Sequence, residues 1–183
     1  MMRLLLIRPL IMKRIFIPLS AALFACHVSA ALADEAICKS GMHPLPAGYE
    51  GWSNPLPLNA ATQAGSLPAS KLTLGHASQI HLAHTPDVQF LQRPAEPGGS
   101  VSYSGMVIFE VIKDGTYRVM LPNKTWIDVV GGATLVSSIQ HQHGPDCSGI
   151  RKMVDFSLKT GTYTLQLAGS GQQDIPVMVS AVP

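Results

Sequence analysis

The sequence is poor in charge, since Lys, Arg, Asp and Glu make up only 13% of its 183 residues. Soluble proteins usually carry about 25%. Exported proteins with surfaces rich in Ser, Thr, Gln and Gly often have such a composition. Beyond the N-terminal region, no second apolar run reaches the roughly 20 residues that a transmembrane helix needs. We therefore expect an extracytoplasmic protein that is not inserted in a membrane once its signal is removed.

The first 33 residues have the three parts of a secretory signal peptide. Lys13 and Arg14 form the basic region, residues 15–25 form the apolar region, and Ala31-Leu32-Ala33 presents small residues to a signal peptidase. Cleavage before Asp34 is predicted, which implies a periplasmic or secreted protein.

Two alternatives for this segment stay open. Translation can start at Met1, Met2 or Met12, because the residues from Met12 onward already form a complete signal. Cleavage as a lipoprotein at Cys26 is second in rank, because the bulky Phe24 does not suit the small middle position of that motif.

Removal of the signal changes the charge balance. The whole chain has 13 basic and 11 acidic residues, but four basic residues lie in the predicted signal, leaving 9 against 11. Nucleic-acid binding needs a concentrated basic surface, so nucleic acid is not an expected partner.

Cysteine is scarce as well. Of the three in the chain, only Cys38 and Cys147 remain after cleavage. In an oxidising compartment an isolated pair is most simply one disulfide. The predicted bridge ties the N-terminal part of the mature chain to the stretch SIQHQHGPDCSG at 138–149.

Residues 34–70 are rich in proline and have no sustained periodicity. Because proline lacks the backbone donor that sheet and helix interiors require, the segment is predicted to be an extended leader on the domain surface. Tyr49 and Trp52 are candidates for a ligand platform, although anchoring the leader to the core is the favoured interpretation.

From residue 71 to residue 183, apolar residues alternate with polar ones, as in half-buried antiparallel strands. The residues assigned to the buried faces are Val101, Tyr103, Val107, Phe109, Val111, Tyr117, Val119, Leu121, Val154, Phe156, Leu158, Tyr163, Leu165, Leu167, Ile175, Val177 and Val179. Shorter candidate strands lie at 72–74, 79–83, 88–91, 125–130 and 133–140. The pattern predicts an all-β domain of eight to ten strands, an antiparallel two-sheet sandwich or jelly roll.

Histidine supplies the main candidates for chemistry. His141 and His143 point to the same side of a strand and are predicted first ligands of a metal. Asp146 adds a nearby carboxylate, and His81 and His84 are candidate additional ligands if the chain turns after His84. Zn, Cu and Fe all suit imidazole, but the alternative, a polar turn without metal, is favoured and no cofactor is expected.

Other catalytic signatures are missing from the sequence. No serine lies in Gly-x-Ser-x-Gly, and the glycine-rich stretches lack the lysine of a phosphate-binding loop. Trp126 alternates with buried residues and is a further candidate platform for a carbohydrate or aromatic ligand, although packing against the leader is favoured. Whether the protein is an enzyme stays open.

Three stretches resemble a known family: YRVMLPNKTWIDVV at 117–130, HGPDCSGIRKMVDFSLKTGTYTLQLAGS at 143–170 and VMVS at 177–180. The family comprises small secreted proteobacterial β-sandwich proteins, some of which carry the name homogentisate 1,2-dioxygenase. That name implies iron held by histidines and a glutamate in a cupin fold; here no glutamate follows Glu110, so no iron ligand is carried over. The final hairpin is also similar to jelly-roll modules beside secreted peptidases, which bind or stabilise.

The leading functional hypothesis is a soluble periplasmic binding or accessory module. Its expected partner is a small molecule, a glycan or an envelope protein. The alternative is a small metal-binding, cupin-like protein, such as a dioxygenase, that uses His141 and His143. An envelope assembly protein that recognises a partner through an edge strand is a third hypothesis.

Overall fold

A computed structural model describes residues 45–182 as a sandwich of two β-sheets. The strands are β1 (Leu56–Asn59), β2 (Ser78–His81), β3 (Ala83–His84), β4 (Tyr103–Val111), β5 (Gly115–Leu121), β6 (Trp126–Gly131), β7 (Thr134–Val136), β8 (Ser138–Gln142), β9 (Lys152–Leu158), β10 (Gly161–Ser170) and β11 (Asp174–Ala181). Short 3₁₀ helices lie at Glu50–Trp52, Ala64–Ala69 and Thr85–Asp87. The predicted all-β sandwich is confirmed, with eleven strands instead of eight to ten. Within residues 45–182, no helix is long and apolar enough to cross a membrane.

One sheet has six strands in the order β1-β2-β11-β5-β9-β8, and the other has five in the order β3-β4-β10-β6-β7. β1 pairs with β2 in parallel, whereas the other strand pairs are antiparallel. The chain passes from the edge of the five-stranded sheet to the edge of the six-stranded sheet between β7 and β8. The open side of the sandwich at this crossing is lined by β6, β7, β8 and β9.

The main core lies between the sheets and is built from the alternating residues. As predicted, apolar residues at every second position of the long strands face this core; the strands are β4, β5, β9, β10 and β11. Phe109, Leu165 and Val177 are fully inaccessible to solvent. Val101 is an exception. It lies before β4 begins and its side chain is 87% exposed, because the strand starts at Tyr103.

The predicted leader differs from the structure over its second half. Residues 56–59 form β1 at the edge of the six-stranded sheet, and Ala61 exchanges two backbone hydrogen bonds with Met106 of β4. Pro57 fits because β1 has a sheet neighbour on one side only, so its missing N–H leaves no bond unmade there. Sheet pairing therefore starts ahead of residue 71.

Two predicted short strands do not form. Residues 72–74 make one backbone hydrogen bond to a strand, from Leu72 N to Ile108 O. Residues 88–91 belong to a loop whose backbone is bonded to a side chain instead: Gln166 Oε1 accepts from Leu91 N at 2.8 Å and Gln92 N at 3.1 Å, and Gln166 Nε2 donates to Gln92 O at 2.9 Å. The fully buried amide replaces the partner strand that this loop lacks.

The outer face of the six-stranded sheet carries a second apolar cluster, made of Trp52, Ala77, Met120, Ile150, Met153 and Met178. The indole N–H of Trp52 donates to Ser148 O at 3.1 Å. Beside it, Arg118 forms a bidentate pair with Asp155, both N–O distances being 2.7 Å, and donates a third bond to the hydroxyl of Tyr49. Residues 45–52 therefore cover a sheet face that alternation alone assigns to solvent.

Candidate binding site

The open side between β6–β7 and β8–β9 holds a cleft with a volume of about 360 Å³. Its floor is apolar core, and its walls carry a tryptophan, a carboxylate, an amine and an imidazole. The lining residues are Trp126, Ile127, Asp128, Leu135, Val136, Ser137, Ser138, His141, Lys152, Val154 and Phe156. A cavity of this size, mostly apolar with a few polar groups, is the usual form of a small-molecule site.

Lys152 and Trp126 are held together at one wall of the cleft. The Lys152 ammonium donates to Thr125 O at 3.0 Å and lies 5.8 Å from the centroid of the Trp126 ring. That distance allows a cation–π attraction. Burial lowers the pKa of Lys152, and the charge of Asp128 opposes that effect.

Trp126 and Asp128, which line this cleft, each have one buried polar atom without a partner. Among the described residues, Trp126 Nε1 and Asp128 Oδ2 are the buried side-chain atoms without a hydrogen-bond partner. Burial raises the pKa of Asp128, while the neighbouring indole N–H and the charge of Lys152 lower it. The indole N–H is therefore close to the carboxyl group without making a hydrogen bond of normal geometry to it. A buried donor and a buried acceptor are left side by side, each at a free-energy cost of about 1–3 kcal/mol.

A second cavity of about 350 Å³ adjoins the cleft, since both are lined by His141 and Lys152. We call it the basic basin. It is lined by Asn123, Lys124, His141, Gln142, His143, Arg151, Lys152 and Met153. The basin thus brings together three cationic side chains and both histidines of the predicted metal pair, with no carboxylate among its lining residues.

The two histidines of β8 and the turn after it are solvent-exposed and already hydrogen-bonded. His141 Nε2 lies 2.8 Å from the Ser138 hydroxyl, and His143 Nδ1 lies 3.2 Å from Arg151 O. Across residues 45–182, no group of three or more His, Cys, Asp or Glu side chains is placed to hold a metal ion. His141 and His143 are the histidines that this part of the structure brings to one cavity.

His81 and His84 lie elsewhere. His81 Nδ1 is 2.8 Å from Asp174 Oδ1, and His84 packs against Tyr103 with ring centroids 4.9 Å apart and ring planes tilted by 31°. The chain does turn after His84, in the helix Thr85–Asp87, as joining a metal site would require. Because β2 and β8 are separated by three strands, however, His81 and His141 are roughly 19 Å apart at a strand spacing of about 4.8 Å.

Asp146 and Cys147 belong to the turn after β8. Ser148 N donates to Pro145 O at 3.2 Å, and Cys147 has a φ of 59°, a conformation that non-glycine residues rarely adopt. Asp146 is exposed and lines a shallow cavity with His143. Cys38 and the predicted signal lie outside the described residues, so the pairing of Cys38 with Cys147 stays a prediction.

The three candidate aromatic platforms have different surroundings. Trp52 is 6% exposed and Tyr49 packs beside it, so both anchor residues 45–52 to the sheet. Trp126 is half-buried and lines the cleft. It alone among these three has a polar atom that is both buried and unpartnered.

Sequence reasoning missed Asp128, Lys152, Lys124 and Arg151. A local signal existed in NKTWIDVV and IRKMV, where charged residues interrupt or flank strands otherwise filled with apolar side chains. Recognising it as a site required knowing that β6 and β9, in different sheets, line one cleft.

The chain matches no protein-family model and no curated protein. The resemblance to small secreted β-sandwich proteins is therefore still a prediction.

Proposed function

We propose that the protein is an exported binding module, periplasmic or secreted, that holds a hydroxyl-rich small molecule or glycan in the cleft. The unpartnered Trp126 Nε1 and Asp128 Oδ2 carry this proposal. A hydroxyl group both accepts and donates a hydrogen bond. Both atoms are buried just beneath the surface of the cleft, so binding requires a small rotation of the two side chains. One ligand hydroxyl can then accept from the indole and donate to the carboxylate, satisfying both atoms at once.

Further features of the cleft support a sugar. Its apolar floor, formed by residues such as Val154 and Phe156, suits the less polar face of a pyranose ring. The Trp126 ring adds an aromatic surface, and aromatic residues with one polar end are common where a ligand is partly apolar and partly wet.

Binding can be tested by intrinsic fluorescence and by calorimetry with neutral trisaccharides, such as those of galactose, glucose and N-acetylglucosamine. Of the two tryptophans in the chain, Trp52 is buried on another face, so a ligand in the cleft perturbs Trp126. Trp126→Phe keeps a ring but removes the N–H, and Asp128→Asn replaces an acceptor by an amide. Each substitution is expected to weaken binding by about 2- to 10-fold, the worth of one hydrogen bond.

Asp174→Asn is the matched control, because Asp174 is an exposed carboxylate that contacts His81 on another strand. This variant should bind as the unmodified protein does. If no trisaccharide produces a saturable signal, or if Trp126→Phe and Asp128→Asn bind every sugar unchanged, the cleft is not a sugar site.

A further inference from the structure

The basic basin indicates the charge of the ligand, which the cleft alone does not. Lys124, Arg151 and Lys152 line it, and its remaining lining residues include no Asp or Glu. Three of the nine basic residues outside the predicted signal therefore gather at one cavity. The same part of the sequence carries 11 acidic residues, so this concentration opposes the overall charge balance.

The cations of the basin are not neutralised by ion pairs within the described part of the chain. There, Lys71, Arg118 and Lys159 each pair with a carboxylate, at 2.7 to 3.0 Å. Lys124 and Arg151 have no such partner, and the Lys152 ammonium donates to a backbone carbonyl. The charge of Asp128 acts on Lys152, so Lys124 and Arg151 are the uncompensated cations of the basin. Like charges at one concave surface create a local positive potential that attracts anions.

The basin and the cleft adjoin each other, since Lys152 and His141 line both. A ligand of two or three sugar rings bound in the cleft is long enough to reach the basin. We propose, building on the proposed sugar-binding function, that the ligand is an acidic glycan. Its carboxylate lies in the basin near Lys124 and Arg151, and a hydroxyl lies between Trp126 and Asp128.

The chemistry of the basin favours a carboxylate borne on a sugar. Lysine and arginine both bind oxyanions through charge-assisted hydrogen bonds. The exposed imidazoles of His141 and His143 and the amides of Asn123 and Gln142 add polar groups suited to the hydroxyls around the acid. Asp128 lies in the cleft, where its carboxyl group faces the ligand hydroxyl and not the acid.

The test compares a galacturonic acid trisaccharide with the neutral galactose trisaccharide by calorimetry. The acidic sugar is expected to bind about 10-fold more tightly at low salt, and this advantage should shrink as salt is added, because exposed charge pairs are screened. The double variant Lys124→Gln/Arg151→Gln should lose most of the advantage while still binding the neutral sugar. Arg93→Gln/Lys113→Gln, which removes two exposed cations that do not line the basin, should retain it.

Each outcome has a separate meaning. Equal or weaker binding of the acidic sugar overturns the acidic-glycan inference and leaves neutral-sugar binding intact. Competition by inorganic phosphate at the affinity of the acidic sugar overturns it too, because the basin then takes any anion without the sugar. If neither trisaccharide binds, the proposed function fails, and the inference fails with it. Hydrogen exchange confirms that the glutamine variants stay folded.

Discussion

Asp155→Asn tests how much the buried Arg118–Asp155 ion pair contributes to the free energy of unfolding. The Arg118 and Asp155 side chains are 13% and 4% exposed, and two charge-assisted hydrogen bonds of 2.7 Å join them. Asparagine keeps the shape but removes the charge, leaving a largely buried guanidinium without a counter-ion. Removing one partner of a buried pair costs about 3–5 kcal/mol, a large share of the 5–15 kcal/mol stability typical of a domain.

Urea unfolding provides the assay. Fluorescence reports on Trp52, which lies in the neighbouring apolar cluster, and far-UV circular dichroism reports on the sheets. Coincident transitions would justify linear extrapolation to zero urea. Glu110→Gln is the control, because Glu110 also pairs with a cation, Lys71, at 3.0 Å, but the two side chains are 56% and 58% exposed. Glu110→Gln should lower the free energy of unfolding by less than about 1 kcal/mol.

The double variant Arg118→Met/Asp155→Leu separates pairing from packing. Replacing both charges by apolar groups leaves no unpaired charge, so its cost should be smaller than that of Asp155→Asn. A loss below about 1 kcal/mol in Asp155→Asn, or a double variant less stable than the single one, would show that the pair does not act as a buried unit.

Three further predictions concern the other polar groups. Burial raises the pKa of Asp128 above 3.8, so the folded state binds this proton more tightly than the unfolded state does. The free energy of unfolding therefore falls as pH rises through the raised pKa. Asp128→Asn should make the urea midpoint fall less over this pH range, and an unchanged pH profile would contradict this prediction. Gln166→Leu should cost about 2–4 kcal/mol by unpairing three backbone groups of the 88–92 loop, with faster amide exchange there, whereas protection equal to the original would refute this role. His141→Ala with His143→Ala should change the free energy of unfolding by only about 0.5 kcal/mol per site and abolish the modest Zn²⁺ or Cu²⁺ affinity expected of the pair; stoichiometric metal in the native protein, lost with an activity in this variant, would favour the metalloprotein hypothesis.

Alternation identified the core because each strand that spans the sandwich has one face in it. It failed where a face is covered by something other than a second sheet. Met120, Met153 and Met178 lie at the alternate strand positions that point away from the core between the sheets. They are nevertheless almost completely buried, under residues 45–52. Apolar residues on both faces of three adjacent strands, β5, β9 and β11, indicate that the outer face of the sheet is also covered.

Proline also obscured part of the fold. Pro57 and Pro176 both lie in strands, although each removes a backbone donor. Pro176 is accommodated because β11 pairs with β2 over residues 174–177 and with β5 only from Met178 onward. The sequence cannot show which neighbour a strand has at each residue.

For the candidate site, the histidine pattern indicated the correct region of the chain but not its chemistry. His141 and His143 line the basin, as their positions two residues apart suggested. The partners that complete it come from β9 and from the turn after β5. These are brought in by strand pairing and by sheet packing, both of which connect residues far apart in the sequence.

The position of β11 also determines when the six-stranded sheet can assemble. This strand joins the β1–β2 pair to β5, β9 and β8, so residues 174–181 must have been synthesised before the two parts of the sheet can combine. Until then, the edges of β2 and β5 that later bind β11 are unpaired, and unpaired edges invite association with other chains. The growing chain therefore benefits from being kept unfolded until β11 is available to complete the six-stranded sheet.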